Sequence, residues 1–341
     1  MSPATRRPPP LSTTGIGSVP HTQLELAMQQ ALALEVPYLP ELPRRAPTEC
    51  FTAQALEGLP GLKILADCRL SVDEQAWQAG AYALDSRLEK AHETGALESF
   101  LPSGAASCAW SPFLWEVESR KPAFAKIQSA GPATALAALA GGSSLPQRLE
   151  QQVLQLVNHR ALAMARAVRS AGAAPIVFLD EPMIGAVRKA SPKVQAGERE
   201  VLRATVTGLR NEGAITGLHC CGEADWAPLL RLGLDVLSFD ATASLQKVLV
   251  ERPDVERFLE TGGWLGLGVV PTDARDGAEL EARLSATLDR IEALPRALRS
   301  RILAQSLITP ACGLGARSVH DAEQVFEALA RAQLRLRELA R

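Results

Sequence analysis

Two kinds of hydrophobic pattern alternate along the chain. One is short, β-branched or continuously apolar, and often ends on Gly, Pro or an acid. The other is long, rich in Ala, Leu, Glu and Arg, with apolar residues at helical spacing. The first kind predicts strands at Ser12–Gly17, Val36–Leu39, Lys126–Gly131, Ala174–Asp180, Ile215–Cys220, Val236–Asp240, Trp264–Val270 and Ser306–Cys312. The second predicts helices at Gln23–Leu34, Asp73–Thr94, Leu145–Ser170, Ala196–Glu212, Asp225–Arg231, Leu245–Thr261, Ala278–Leu294 and Val319–Leu339. Strands alternating with helices in this way are the signature of a closed parallel barrel. The expected fold is therefore α/β, a single-domain (β/α)8 TIM barrel over residues 12–341, preceded by a flexible segment, 1–11. An open doubly wound sheet is the alternative. Against it, Gly15–Gly17, Gly266–Gly268 and Gly313–Gly315 never extend into a dinucleotide fingerprint, and they read as tight turns.

Composition narrows the partners. Apolar residues make up 47% of the 341 and charged residues 22%, the balance of a folded chain. Thirty-six basic against 38 acidic side chains give a net charge of -2, so there is no surplus to hold a nucleic acid backbone. The longest apolar runs are strand-length, far short of the roughly 20 residues of a membrane span. Met1–Pro10 lacks the apolar region of a signal peptide, so a cytoplasmic location is expected. In that setting the six cysteines are not expected to form a disulfide framework. Buried thiols, metal ligands or nucleophiles are the open options. Cys50, Cys68 and Cys108 lack clustered partners and read as ordinary buried thiols, as does Cys220.

A barrel of this kind carries its chemistry at the C-terminal strand ends. His219 and Cys221 close the fifth predicted strand, two residues apart and so on one face. Cys312 closes the eighth, and Asp240 the sixth. These ligand types suit zinc, which with an exchangeable position can bind and deprotonate a substrate thiol. The same residues could instead be packed core or a structural site. Asp180-Glu181-Pro182 ends the fourth strand, where a carboxylate can hold an ammonium group or cap a helix. Between the second and third strands, Phe100–Pro122 is loop-rich and carries Trp110 and Trp115. It reads as a packed excursion, with a lid or docking surface as alternatives.

Five motifs in order resemble the catalytic barrel of cobalamin-independent methionine synthase. They are Thr13-Thr14-Gly15-Ile16-Gly17-Ser18-Val19-Pro20, Gly131-Pro132-Ala133-Thr134, Asp180-Glu181-Pro182, His219-x-Cys221 with Asp240, and Cys312-Gly313-Leu314. The resemblance spans Ser12 to the C-terminus. It implies zinc on His219, Cys221 and Cys312, and homocysteine as the thiol that accepts a methyl group. It also implies that Ile16, Gly17, Ser18 and Asp180 hold the amino acid. Several positions depart from the family pattern. Asp240 stands where the family has a glutamate ligand. The stretch Gly268–Thr272 lacks the family's catalytic histidine, for which His21 is a possible substitute. The second substrate carboxylate falls near Pro43, with Glu41 or Glu49 as replacements. One barrel is present where the full-length enzyme has two. These departures point away from polyglutamyl-folate and toward a methyl-corrinoid protein, whose cobalt(I) leaving group needs no proton. The expected activity is zinc-dependent methyl transfer to homocysteine from methyl-folate or a methyl-corrinoid protein. The alternatives are a corrinoid-dependent methyltransferase for another thiol, and a non-catalytic barrel with a structural zinc.

Overall fold

The computed structural model describes residues 7–141, 144–185 and 192–341. Its strands are β1 (Ser12–Thr13), β2 (Leu62–Ile64), β3 (Leu70–Val72), β4 (Phe124–Ala130), β5 (Ala174–Asp180), β6 (Ile215–Cys220), β7 (Val236–Asp240), β8 (Trp264–Val270) and β9 (Ser306–Pro310). Seven of them form one parallel sheet in the order β1-β9-β8-β7-β6-β5-β4. The gap between β4 and β1 is filled by residues 36–41. Val36 N–H donates to Thr13 O, Lys126 N–H to Pro37 O, Leu39 N–H to Lys126 O, and Glu41 N–H to Gly17 O. That segment takes the second barrel position through isolated parallel bridges, Tyr38 to Lys126 and Ser18 to Glu41, and so closes the ring.

The central strands are almost wholly buried because both faces are covered. Outward side chains meet the helices in the main core. Inward side chains at one end, among them Val36, Phe124, Ile176, Val236, Trp264 and Leu307, pack on each other and plug the barrel. Chemistry is thereby confined to the other end. No helix among the described residues is long and apolar enough to cross a membrane.

Several elements differ from the sequence expectation. The predicted helix Leu245–Thr261 is two helices, Ala241–Val250 and Arg252–Glu260, with Pro253 restarting the second. The stretch Phe100–Pro122 contains a helix, Trp110–Arg120, with Trp110 in the core and Trp115 64% exposed. β2 and β3 form an unpredicted antiparallel hairpin outside the barrel. Cys50 and Cys68 are not separate thiols: their Cα atoms lie 6.1 Å apart and they form a disulfide across 18 residues. Cys50 leads into the helix Phe51–Ala55 and Cys68 lies in the turn between β2 and β3, both against one apolar cluster. Of the N-terminal segment, residues 1–6 lie outside the described residues, whereas Leu11 is buried and Arg7 pairs with Asp235 at 2.8 Å.

Candidate metal centre

β6 alternates, so Cys220 faces the surrounding helices while His219 faces the interior. The chain beyond β6 places Cys221, and the chain beyond β9 places Cys312, at the same rim. One donor atom from each of His219, Cys221 and Cys312 lies within 4.8 Å of the others. The two sulfurs are 3.1 Å apart. His219 Nδ1 meets Ser238 Oγ at 3.0 Å, which orients the ring from below. Its Nε2 is buried and has no hydrogen-bond partner. A buried, unpaired ring nitrogen is costly unless something else binds it. The Cys312 thiol is drawn well below the ordinary thiol range by the Cys221 S–H and by His219, against the upward push of burial. An unpaired imidazole nitrogen beside two sulfurs, one readily ionised, is a donor set that fits zinc.

Asp240 is outside this group. Its Oδ1 accepts from Thr242 N–H at 2.7 Å, Ala243 N–H at 3.1 Å and Thr242 Oγ at 2.6 Å, capping the helix Ala241–Val250. His21 is buried with an unpartnered Nδ1, and burial lowers its pKa. It too stands apart from the three donors.

Beside the metal group lies a buried charged cluster. Asp180 ends β5, opposite His219 in register, and its Oδ1 is buried without a partner. Burial pushes its carboxyl well above the usual range; Lys126 opposes that push, while Glu41 and Cys312 add to it. Glu41, on the loop after the second barrel position, is pushed up to about 7 by burial, opposed by Gln128 and Lys126 and reinforced by Glu49. Lys126 is fully buried on β4, and burial lowers its ammonium to about 8 against the pull of Asp180 and Glu41. It donates to Ile16 O at 2.5 Å and to Gln128 Oε1 at 2.9 Å, and lies 4.8 Å from the centre of the Phe178 ring.

The first loop joins the metal group to this cluster. Leu314 N–H donates to Ser18 O, and Gly315 N–H donates to Ser18 Oγ, just beyond Cys312. Gly17 admits no side chain: a Cβ there would come within 2.9 Å of the Gln128 amide. Ile16, Gly17, Ser18 and Glu41 therefore share one hydrogen-bonded network, to which the Asp180 carboxyl is coupled electrostatically. Glu49 serves its own loop, accepting from Leu42 N–H and facing Arg45. Glu181 has a different task from Asp180: it accepts from Ala133 N–H, Thr134 N–H and Thr134 Oγ, capping the helix Pro132–Ala140 from the next strand. Sequence reasoning overlooked Lys126 and Gln128. Their signal was polar residues two apart in an otherwise apolar strand, the spacing of one inward face.

No protein-family model matches the chain, and no curated protein matches it. Among solved structures, it is similar to a B12-independent methionine synthase from Shewanella sp. W3-18-1, in complex with selenomethionine. Identity is 15% and the TM-score 0.45, over 66% of this chain and 67% of that one. It is also similar to a candidate vitamin-B12-independent methionine synthase from Listeria monocytogenes, at 13% identity and a TM-score of 0.46, over 98% of this chain and 99% of that one.

Proposed function

We propose that this chain is a zinc-dependent thiol methyltransferase that converts homocysteine to methionine. The observation that carries the reading is the buried, unpaired Nε2 of His219 beside the sulfurs of Cys221 and Cys312. Three protein donors leave a coordination position for an exchangeable ligand, whereas a structural zinc site is closed by four. Zinc, when bound, supplies Lewis acidity that lowers the pKa of a substrate thiol. The protein's own residues do the rest. Ser238 holds the His219 ring. Asp180 and Glu41 present carboxylates for the substrate ammonium, and the Ile16–Ser18 loop stands on the other side of the same network. In the overall reaction a carbon–sulfur bond forms, the bond from methyl to its donor breaks, and the thiol proton leaves.

A methyl-corrinoid protein is the favoured donor, because among the described residues no histidine besides His219 belongs to the metal group, where one could protonate a folate leaving group. Gly268–Thr272 contains none, and His21 lies outside the three-donor group. Metal analysis tests the premise. The purified protein should hold about one zinc per chain, and Cys312→Ser should hold much less. Zinc well below one per chain and unchanged by the substitution would end the proposal. With zinc present, methionine should form from homocysteine and methylcobalamin, and more slowly from methyl-folate. Methionine from neither donor would redirect the reading to another thiol.

A further inference from the structure

Lys126 stands out because a lysine with no exposed surface in a barrel interior is costly unless its charge is used. Its ammonium is committed to Ile16 O and Gln128 Oε1, over the Phe178 ring. A lysine can only donate, so the Gln128 carboxamide must turn its oxygen toward Lys126. Its NH2 group is thereby forced the other way, onto Leu39 O and Glu41 Oε1, each at 2.9 Å. The Glu41 carboxylate is thus fixed at two removes from the ammonium. The same ammonium ties down the carbonyl of Ile16 in the first loop. Asp180, which interacts electrostatically with both Lys126 and Glu41, keeps a buried oxygen without a partner.

We infer that Lys126 is a positioning residue: through Gln128 it aims Glu41 within the cluster that also holds Asp180, so that the site selects thiols carrying a primary ammonium group. The inference rests on the thiol-binding reading above and deepens it. Its test is binding to the zinc-loaded protein, measured calorimetrically with L-homocysteine and with 4-mercaptobutanoate, which lacks the ammonium. Wild type should prefer homocysteine by about tenfold or more, as expected for charge-assisted hydrogen bonds made to only one of the two ligands. Lys126→Met should weaken homocysteine by about tenfold and leave 4-mercaptobutanoate within about threefold. Zinc content should be unchanged. Gln128→Met keeps the lysine and should show the same selective loss, so the test survives if Lys126→Met does not fold. Equal weakening of both thiols, or no weakening of homocysteine, overturns the inference. Failure of wild type to bind either thiol overturns the thiol-binding reading itself.

Discussion

Glu181 is the neighbour of Asp180, yet the structure gives it a purely architectural task, and that difference can be measured. Its side chain is completely buried and accepts from Ala133 N–H at 3.0 Å, Thr134 N–H at 2.8 Å and Thr134 Oγ at 2.7 Å. The helix it caps begins with Pro132, which has no N–H, after Gly131, which has no side chain to serve as a cap. Glu181→Ala opens two buried amides, each costing about 1–3 kcal/mol when unsatisfied. It also removes an anion from a helix N-terminus, worth about 0.3–1 kcal/mol and more when buried. Relief from desolving the carboxylate offsets part of this, leaving a net loss of about 3 kcal/mol. In a chain of 341 residues, with about 2.1 cal/mol/K of unfolding entropy per residue, that is a fall in Tm of about 4 °C, read by calorimetry. Thr134→Val loses one neutral donor to the same carboxylate, about 1 kcal/mol on its own. In the double variant that part of the loss should vanish, because its acceptor is already gone, while the 3.3 Å bond from Met183 N–H to Thr134 Oγ is lost in either background. Homocysteine binding should change little in Glu181→Ala and be lost in Asp180→Asn. A Tm within about 1 °C of wild type, or full additivity in the double variant, would refute the capping assignment.

Asp240 is held by its own helix, so Asp240→Ala should lower stability by about 1 kcal/mol while zinc stays at wild-type stoichiometry. Loss of zinc in that variant would instead make Asp240 a ligand. Asp235 gives a pH prediction at the opposite end of the barrel. Burial pushes its carboxyl up, but hydrogen bonds from Arg210, Thr216 and Arg7 together outweigh this and hold it below the ordinary range. A depressed folded pKa means the stabilisation is complete above the unfolded value of about 3.9 and is lost as pH falls through the folded one. Thermal melts from pH 6 downward should therefore show Asp235→Asn well below wild type near neutrality, with the gap closing below about pH 4. A gap that is constant across the range would show that the charge contributes nothing.

What the sequence disclosed depended on how far apart the interacting residues lie. β5, β6, β7 and β8 form where continuous apolar runs predict them, because a strand covered on both faces states its burial residue by residue. The pairing of His219 with Cys221 was legible for the same local reason, an alternation of two along one strand. Residues 36–41 carry weaker strand character; they hold their barrel position through a few backbone bonds to β1, the first loop and β4, which only closure of the ring supplies. The hairpin of β2 and β3 is not legible in the sequence because its strands are three residues each and only partly buried. Cys50 and Cys68 meet only once that hairpin has folded back.

Asp240 and Glu181 make the sharper case, since both acids cap helices, one its own and one a helix far away in sequence. Asp240, followed by Ala-Thr-Ala at the start of a helix, has the local pattern of an N-cap, and two amides within three residues take its Oδ1. Such bonds form with almost no loop to close, so they compete strongly against a metal group assembled from other strands. Glu181 precedes Pro182 and has the same local opportunity, yet it caps a helix that lies nearly 50 positions earlier, because parallel pairing of β4 with β5 sets its carboxyl against Ala133 and Thr134. A local motif therefore fixes a side chain's task only where the folded strand leaves no stronger partner beside it. In a barrel those stronger partners sit on the neighbouring strand, which is why the inward-facing Lys126 and Gln128 of β4 must be considered together with Glu41 and Asp180 of the flanking segments before the chemistry of any one of them can be stated.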